Sequence, residues 1–301
     1  MGNNAAGFVG LGAMGFPMAR NLAKSGIAVH VFDSNAGTMQ KAARQDGISL
    51  ARSPKEAAEN SAVLFTCLPN NDIVQTVYLG QEGIGAGAKP GLITCDCSTV
   101  SPETTVTVAK ALASKGATHL DTPMLGSSPQ AEEGQLFFIA GGDPKALARV
   151  EPYLKAMGRQ IMHVGPSSMG NVVKLIHNGL GAATSVAVAE ALALAVRSGV
   201  NPETFYQVVR NGGGMAHGTY FERRAKRILD GEFSPTFMLE LMRKDVALDS
   251  QLARSLGVPT PVLDETMRTY DEACAAGWGR EDFSAVTHVI ERRIGRKLSK
   301  T

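Results

Sequence analysis

Short apolar runs alternate with helix-patterned stretches through the first half of the chain. The runs are GFVG at 7–10, IAVHVFD at 27–33, SAVLFTCL at 61–68, GLITCDC at 91–97 and QLFFIAGG at 135–142. Between the first two, Met14, Met18 and Leu22 recur every fourth residue, which puts them on one face of a helix that Gly26 ends. The second run is apolar nearly throughout, as in a strand covered on both faces. This rhythm predicts an α/β fold with a doubly wound, mostly parallel sheet. Right-handed crossovers then bring the strand C-termini, and with them a ligand site, to one edge.

The first strand–helix turn reads Gly10-Leu11-Gly12-Ala13-Met14-Gly15. In a GxGxxG turn one glycine makes the tight bend, one lets backbone approach a pyrophosphate, and one packs helix on strand. The helix that follows offers unpaired N–H groups and the positive end of its dipole to phosphate. Asp33 ends the second run, 23 residues after Gly10. A carboxylate there accepts ribose hydroxyls and repels a 2′-phosphate, so the expected cofactor is NAD in preference to NADP.

The 301 residues are too many for one ordinary domain, and 44% are hydrophobic, enough for a large core. We place a dinucleotide-binding domain at 1–165 and an all-α domain at 166–301, where strand signals vanish and a long helix joins the two. Helices are expected at 169–198, 203–210, 220–229, 237–256, 263–276 and 282–296. Thirty Lys plus Arg against 28 Asp plus Glu leave a net charge of +2, which argues against a nucleic-acid binder. The basic tail from Arg292 to Lys300 reads as a solvated end. The four cysteines show no CxxC spacing, so neither zinc nor a disulfide framework is indicated. No leader is evident at the N-terminus, and the cytoplasm is the expected compartment. Residues 179–196 are apolar enough to suggest a membrane span, but Glu190 lies inside and alanine and glycine dominate. We read them instead as a helix buried between domains or subunits, and expect a homodimer or homotetramer assembled through 169–198.

Lys174 and Asn178 are four apart and share one helical face. A lysine that moves a hydroxyl proton near neutrality must titrate at about 7–8, well below its reference value. Apolar surroundings and a second cation both push it there. Val172, Val173, Leu175 and Ile176 are expected to supply the first, and Lys244 the second. Spacing alone favours a surface lysine and a polar asparagine on a long helix. His217 lies in the glycine-rich run 211–218 and is a candidate substrate contact; His177 reads as a packed core residue, and Cys95 and Cys97 as small buried thiols.

Several ordered motifs resemble the β-hydroxyacid dehydrogenases, a family that includes 3-hydroxyisobutyrate dehydrogenase and the reductases of tartronate semialdehyde and sulfolactaldehyde. The run from Phe8 to Leu22 is similar to the family's N-terminal signature. Leu68-Pro69-Asn70 looks like its cofactor-side loop. Cys97-Ser98-Thr99-Val-Ser-Pro102 resembles its DxSTxSP segment, which implies that Thr99 approaches the nicotinamide ribose and Ser98 the substrate. The run from Gly170 to Asn178 resembles its GxxxKxxxN, implying that Lys174 is the general acid/base and that Asn178 orients the substrate hydroxyl or the lysine. Lys244-Asp245 looks like its KD pair, implying a lysine that reaches cofactor and substrate, and 279–285 is similar to its closing segment. One stretch departs: Leu125, Gly126 and Ser127 stand where the family commonly has Ser-Gly-Gly around a substrate carboxylate.

The resemblance therefore implies an NAD(P)-dependent enzyme that interconverts a small 3-hydroxy acid, a carboxylate, with its semialdehyde. A reductase of glyoxylate, succinic semialdehyde or sulfolactaldehyde is the alternative within that class. A catalytically silent NAD-binding sensor or scaffold is the alternative outside it. No metal and no nucleic-acid or membrane partner is expected.

Overall fold

The computed structural model describes residues 5–299. The N-terminal residues 1–4 read for a leader, and Lys300 of the basic tail, lie outside the described residues. The chain divides into two compact units, Met1–Lys174 and Leu175–Thr301.

The first unit alternates strands and helices: β1 (Ala6–Val9), α1 (Gly15–Lys24), β2 (Val29–Phe32), α2 (Ala36–Ala42), β3 (Ile48–Leu50), α3 (Pro54–Glu59), β4 (Val63–Thr66), α4 (Asn71–Leu79), α5 (Ile84–Gly87), β5 (Ile93–Asp96) and α6 (Pro102–Ala113). It continues through β6 (Thr118–Asp121), β7 (Met124–Leu125), α7 (Ser128–Glu132), β8 (Leu136–Gly141), α8 (Pro144–Met157), β9 (Gly158–Gly165) and the start of α9 (Met169–Arg197). The sheet runs β3-β2-β1-β4-β5-β6-β8-β7, with β9 on β8. The first six strands in that order are parallel, and β8 turns antiparallel to β6 and β7. The strand order reverses at β1, and β1 and β4 lie side by side, which opens a crevice at their C-terminal ends.

Side chains alternate across the sheet. Phe8 and Phe65 enter the layer packed by α1 and α8, while Val9 and Leu64 enter the one packed by α3, α4 and α6. The expectation that the second strand is covered on both faces holds only in part: Val29 and Val31 are buried, but His30 and Phe32 are half-buried. Strands β3, β6 and β9 carry Ser49, Thr118, His119, Arg159 and Gln160 among their apolar residues, which hides them from a hydropathy reading.

Past α9 the described residues of the second unit form helices: α10 (Pro202–Gly212), a π-helical turn at Phe221–Ala225 running into α11 (Lys226–Asp230), α12 (Leu239–Ser255), α13 (Pro261–Ala275), a 3-10 turn at Phe283–Val286 and α14 (Thr287–Ile294). The inward face of α9 carries Ala182, Val186, Ala189, Leu192, Ala193 and Val196, spaced by three and four. At Gly179 a Cβ would lie 1.9 Å from Asp249 Oδ2, so a side chain there would push the Asp249 carboxylate of α12 aside. The helix is long and apolar enough to cross a bilayer, yet half of its most apolar window is buried within the protein, as in a core helix.

Candidate active site

Four loops converge where the parallel strands β2, β1, β4 and β5 end. After β1 the chain bends at Gly10 with φ +92°, a conformation that glycine alone adopts without strain. A Cβ there would sit 2.4 Å from the Cys67 carbonyl, and one on Gly15 would sit 1.9 Å from the Gly10 carbonyl. Gly12 differs, because a Cβ on it meets nothing within 4 Å. One glycine thus lets the turn approach the chain leaving β4, one closes the turn against its own backbone, and the third faces open space. Helix α1 opens behind them with no side-chain cap and no acidic residue in its first turn. Donors and dipole are therefore left for an anion, and the turn fits a dinucleotide pyrophosphate.

Asp33 clamps this turn from β2. Its Oδ2 accepts the Leu11 N–H at 2.7 Å and its Oδ1 accepts the Asn35 N–H at 2.8 Å. After β4, Leu68 is half-buried, Pro69 is exposed, and Asn70 caps α4 by accepting the Ile73 N–H at 2.9 Å. After β5, buried Ser98 accepts the Leu68 N–H on its hydroxyl at 2.8 Å, so the two loops are joined. Thr99 follows, half-buried.

The first turn of α9 is fastened to this edge. Asp121, at the end of β6, accepts the Ser168 N–H at 2.8 Å and the Asn171 N–H at 2.9 Å. Burial raises its pKa, although these donors work against the rise. Gly170 has no room for a side chain, since a Cβ would lie 2.7 Å from the Ile139 carbonyl. Asn171 accepts the Val100 N–H at 3.2 Å and donates to Thr105 Oγ1 at 3.2 Å, which binds the loop carrying Thr99 to the helix. Lys174 comes one turn after Gly170 and is half-buried. The expected apolar enclosure needs correcting: Val173 is 38% and Ile176 54% exposed, because neighbours in sequence point away from one another around a helix. Leu175 is fully buried.

In the second unit Asn178 is 5% exposed and donates from Nδ2 to Asp245 Oδ2 at 2.6 Å. The other oxygen of Asp245 faces Lys244 Nζ at 3.0 Å, so Lys244 carries its own counter-ion. His177 Nδ1 lies 3.1 Å from Asn178 Oδ1. His217 is exposed on its glycine-rich loop.

The loop after β6 holds the departing residues. Leu125 is half-buried on β7 opposite Phe137, and Gly126 has φ +126°. Ser127 gives both its N–H and its hydroxyl to Gln130 Oε1, at 2.9 and 2.6 Å. Burial pushes the thiols of Cys95 and Cys97 up, so both stay protonated. Among the described residues no group of three His, Cys, Asp or Glu could hold a metal ion. Asp121 and Asn171 escape sequence reasoning as individuals, although Asp121 ends a strand and Asn171 follows Gly170 in the first turn of α9; Asp245 is visible only as the second member of the Lys244-Asp245 pair.

Comparison with known proteins shows the family. Residues 5–165 match the model of the NAD binding domain of 6-phosphogluconate dehydrogenase, and residues 168–290 match that of the NAD-binding domain of NADP-dependent 3-hydroxyisobutyrate dehydrogenase. The 2-(hydroxymethyl)glutarate dehydrogenase of Eubacterium barkeri is 35% identical over 97% of both chains. The chain belongs to the β-hydroxyacid dehydrogenase family. This β-hydroxyacid dehydrogenase is also 33% identical to the 3-sulfolactaldehyde reductase of Escherichia coli K12, over 97% of both chains. The structure of a Mycobacterium tuberculosis 3-hydroxyisobutyrate dehydrogenase with L-serine superimposes with a TM-score of 0.85 at 30% identity, covering 95% of this chain and 99% of that one. The protein is an NAD(P)-dependent oxidoreductase of hydroxy acids and their semialdehydes.

Proposed function

We propose that this β-hydroxyacid dehydrogenase uses NAD to interconvert a small 3-hydroxy acid and its semialdehyde, with Lys174 as the general acid/base. The observation that carries the reading is the attachment of the helix bearing Lys174 to the cofactor-side loop, through Asn171 and the Val100 N–H. When bound, the nicotinamide supplies or accepts the hydride. Lys174 Nζ gives a proton to the nascent alkoxide in reduction and takes it from the hydroxyl in oxidation. Asn178, one turn along α9, orients the substrate hydroxyl, and its own amide is held by Asp245. Thr99 lies on the nicotinamide side, and the loop 125–127 takes the acid end of the substrate.

Asp33 supports the NAD preference. Each of its oxygens accepts one backbone N–H and keeps a second lone pair for a ribose hydroxyl, while its charge repels a 2′-phosphate. We further propose that a second copy of the chain covers the exposed stripe of Val173, Ile176 and Leu180 on α9.

The test is initial rates with NADH and NADPH across short semialdehydes and 2-oxo acids, and with NAD across 3-hydroxy acids. Turnover of carboxylated members with NAD preferred is the expected result. Lys174→Ala should bind NADH as the parent does, while kcat falls by about 10²–10⁴. Full activity in that variant would remove the lysine from the mechanism.

A further inference from the structure

Behind the cofactor loops runs a line of buried polar groups that the proposed chemistry does not use. Thr66, the last residue of β4, donates from Oγ1 to Asp96 Oδ1 at 2.7 Å. That spends its single proton, so toward Tyr78, 2.9 Å away, the hydroxyl is an acceptor and Tyr78 is the donor. Asp96 Oδ1 also accepts the Ser98 N–H at 3.0 Å, and Ser98 Oγ accepts the Leu68 N–H. Thr66 and Tyr78 are fully buried and Asp96 is 1% exposed. Burial, reinforced by the Asp96 carboxylate, holds the Tyr78 phenol protonated. The Tyr78 ring meets His119 edge-on at 5.3 Å, and His119 Nδ1 pairs with Thr94 Oγ1 at 2.8 Å. Burial pushes His119 down to about 3, so the far end of the line carries no charge at neutral pH.

The Tyr78 and Thr66 hydroxyls and the Ser98 N–H all donate in the direction of Asp96, and Asp96 passes the order on to the loop. A buried carboxylate that loses a hydroxyl donor turns toward whatever other donor it can reach, because an uncompensated buried charge is costly. The Ser98 N–H is then released, and with it the Ser98 hydroxyl that fixes Leu68.

We propose that the Thr66 hydroxyl, oriented by Tyr78, is a positioning group for dinucleotide binding that acts through Asp96 on the Ser98–Leu68 junction. The proposal rests on the reading of Leu68 and Thr99 as cofactor contacts. It assigns Thr66 no contact with the cofactor and no part in proton transfer.

The experiment compares Thr66→Val, which keeps the shape and loses the hydroxyl, with Thr66→Ser, which keeps the hydroxyl and loses a methyl. NADH affinity is read by fluorescence titration, and amide hydrogen exchange at Leu68 and Ser98 is read in the cofactor-free protein. The valine variant should weaken NADH binding about tenfold, the size of one lost hydrogen bond to a charged acceptor. Its Leu68 and Ser98 amides should exchange faster, and kcat at saturating NADH should stay within about twofold of the parent. The serine variant should bind NADH as the parent does. A purely packing role for Thr66 reverses that order and overturns the proposal, as does parental affinity and exchange in the valine variant. Should the valine variant fail to fold, Tyr78→Phe tests the same line, with weaker NADH binding expected and parental binding overturning the proposal. A parent protein that binds no NADH overturns the cofactor-site reading itself, a result distinct from equal binding by parent and variant.

Discussion

Asn178 on α9 and Asp245 on α12 are joined side chain to side chain at 2.6 Å, both almost wholly buried. The bond fixes which way the Asn178 amide faces, since Nδ2 must point at the carboxylate and Oδ1 away from it. Asp245→Ala leaves that buried N–H without its acceptor and deprives Lys244 of its counter-ion. The expected cost is about 1–3 kcal/mol in urea unfolding. If Asn178 orients the substrate hydroxyl, kcat/KM should fall as well, while NADH affinity changes little. Unchanged kcat/KM would make the pair a purely structural tie.

Glycines 12 and 15 give opposite outcomes to the same substitution. At Gly15 an added methyl collides with the Gly10 carbonyl at 1.9 Å, so Gly15→Ala should lose stability by about 1–3 kcal/mol or fail to fold. At Gly12 the methyl enters open space. Gly12→Ala should therefore melt close to the parent and bind NADH about tenfold more weakly, because the methyl occupies the approach of the pyrophosphate. Thermal melts and NADH titrations of the two variants check both expectations.

What the sequence conveys here follows physical lines. β1, β4, β5 and β8 announce themselves as apolar runs because nearly all their residues are buried on the sheet's faces, and β2 does so with Val29 and Val31 buried beside half-buried His30 and Phe32. β9 does not, since Arg159, Gln160, Met162 and His163 are exposed on the edge. Gly10, Gly15 and Asp33 are legible because a local turn demands them. Asp121 and Asn171 act on partners 47 to 71 residues away in sequence, and no local pattern encodes such pairs. The apolar residues flanking Lys174 misled for a similar reason, because a helix turns Val173 and Ile176 outward.

Asp33 serves both the turn and the proposed cofactor choice, and the two are separable. Asp33→Asn keeps an acceptor for the Leu11 or the Asn35 N–H and removes the charge. Its discrimination between NADH and NADPH should fall by about tenfold or more, mostly through tighter NADPH binding, with little change in melting temperature. Asp33→Ala should lose NADH affinity too, because the Leu11 N–H is then unclamped. Steady-state KM values for both cofactors distinguish the variants. Undiminished discrimination in Asp33→Asn would place the choice elsewhere.

The second unit carries the clearest pH signature. Asp282 is fully buried, and Arg224 Nη1 lies 3.0 Å from both of its oxygens. Thr236 and Ser284 add backbone and hydroxyl donors. Burial alone would raise the Asp282 pKa, but the arginine and these donors outweigh it and hold the pKa below its ordinary 3.8. The unfolded chain then takes up the proton first as pH falls. Stability is fully present above about pH 4 and is lost as pH drops from there through the folded-state pKa. Asp282→Asn should flatten that slope without abolishing it, because other carboxylates, Glu291 among them, also have lowered pKa values. Arg224→Ala should cost about 3–5 kcal/mol at pH 7, since it strands a buried carboxylate. Without the arginine, burial governs and Asp282 protonates more readily than in the parent. The unfolding free energies of parent and Arg224→Ala should therefore converge as pH is lowered from 7 to 4. Parallel curves over that range would mean that Arg224 stabilises the fold by packing on Phe283, 4.5 Å from its guanidinium, and not by neutralising Asp282.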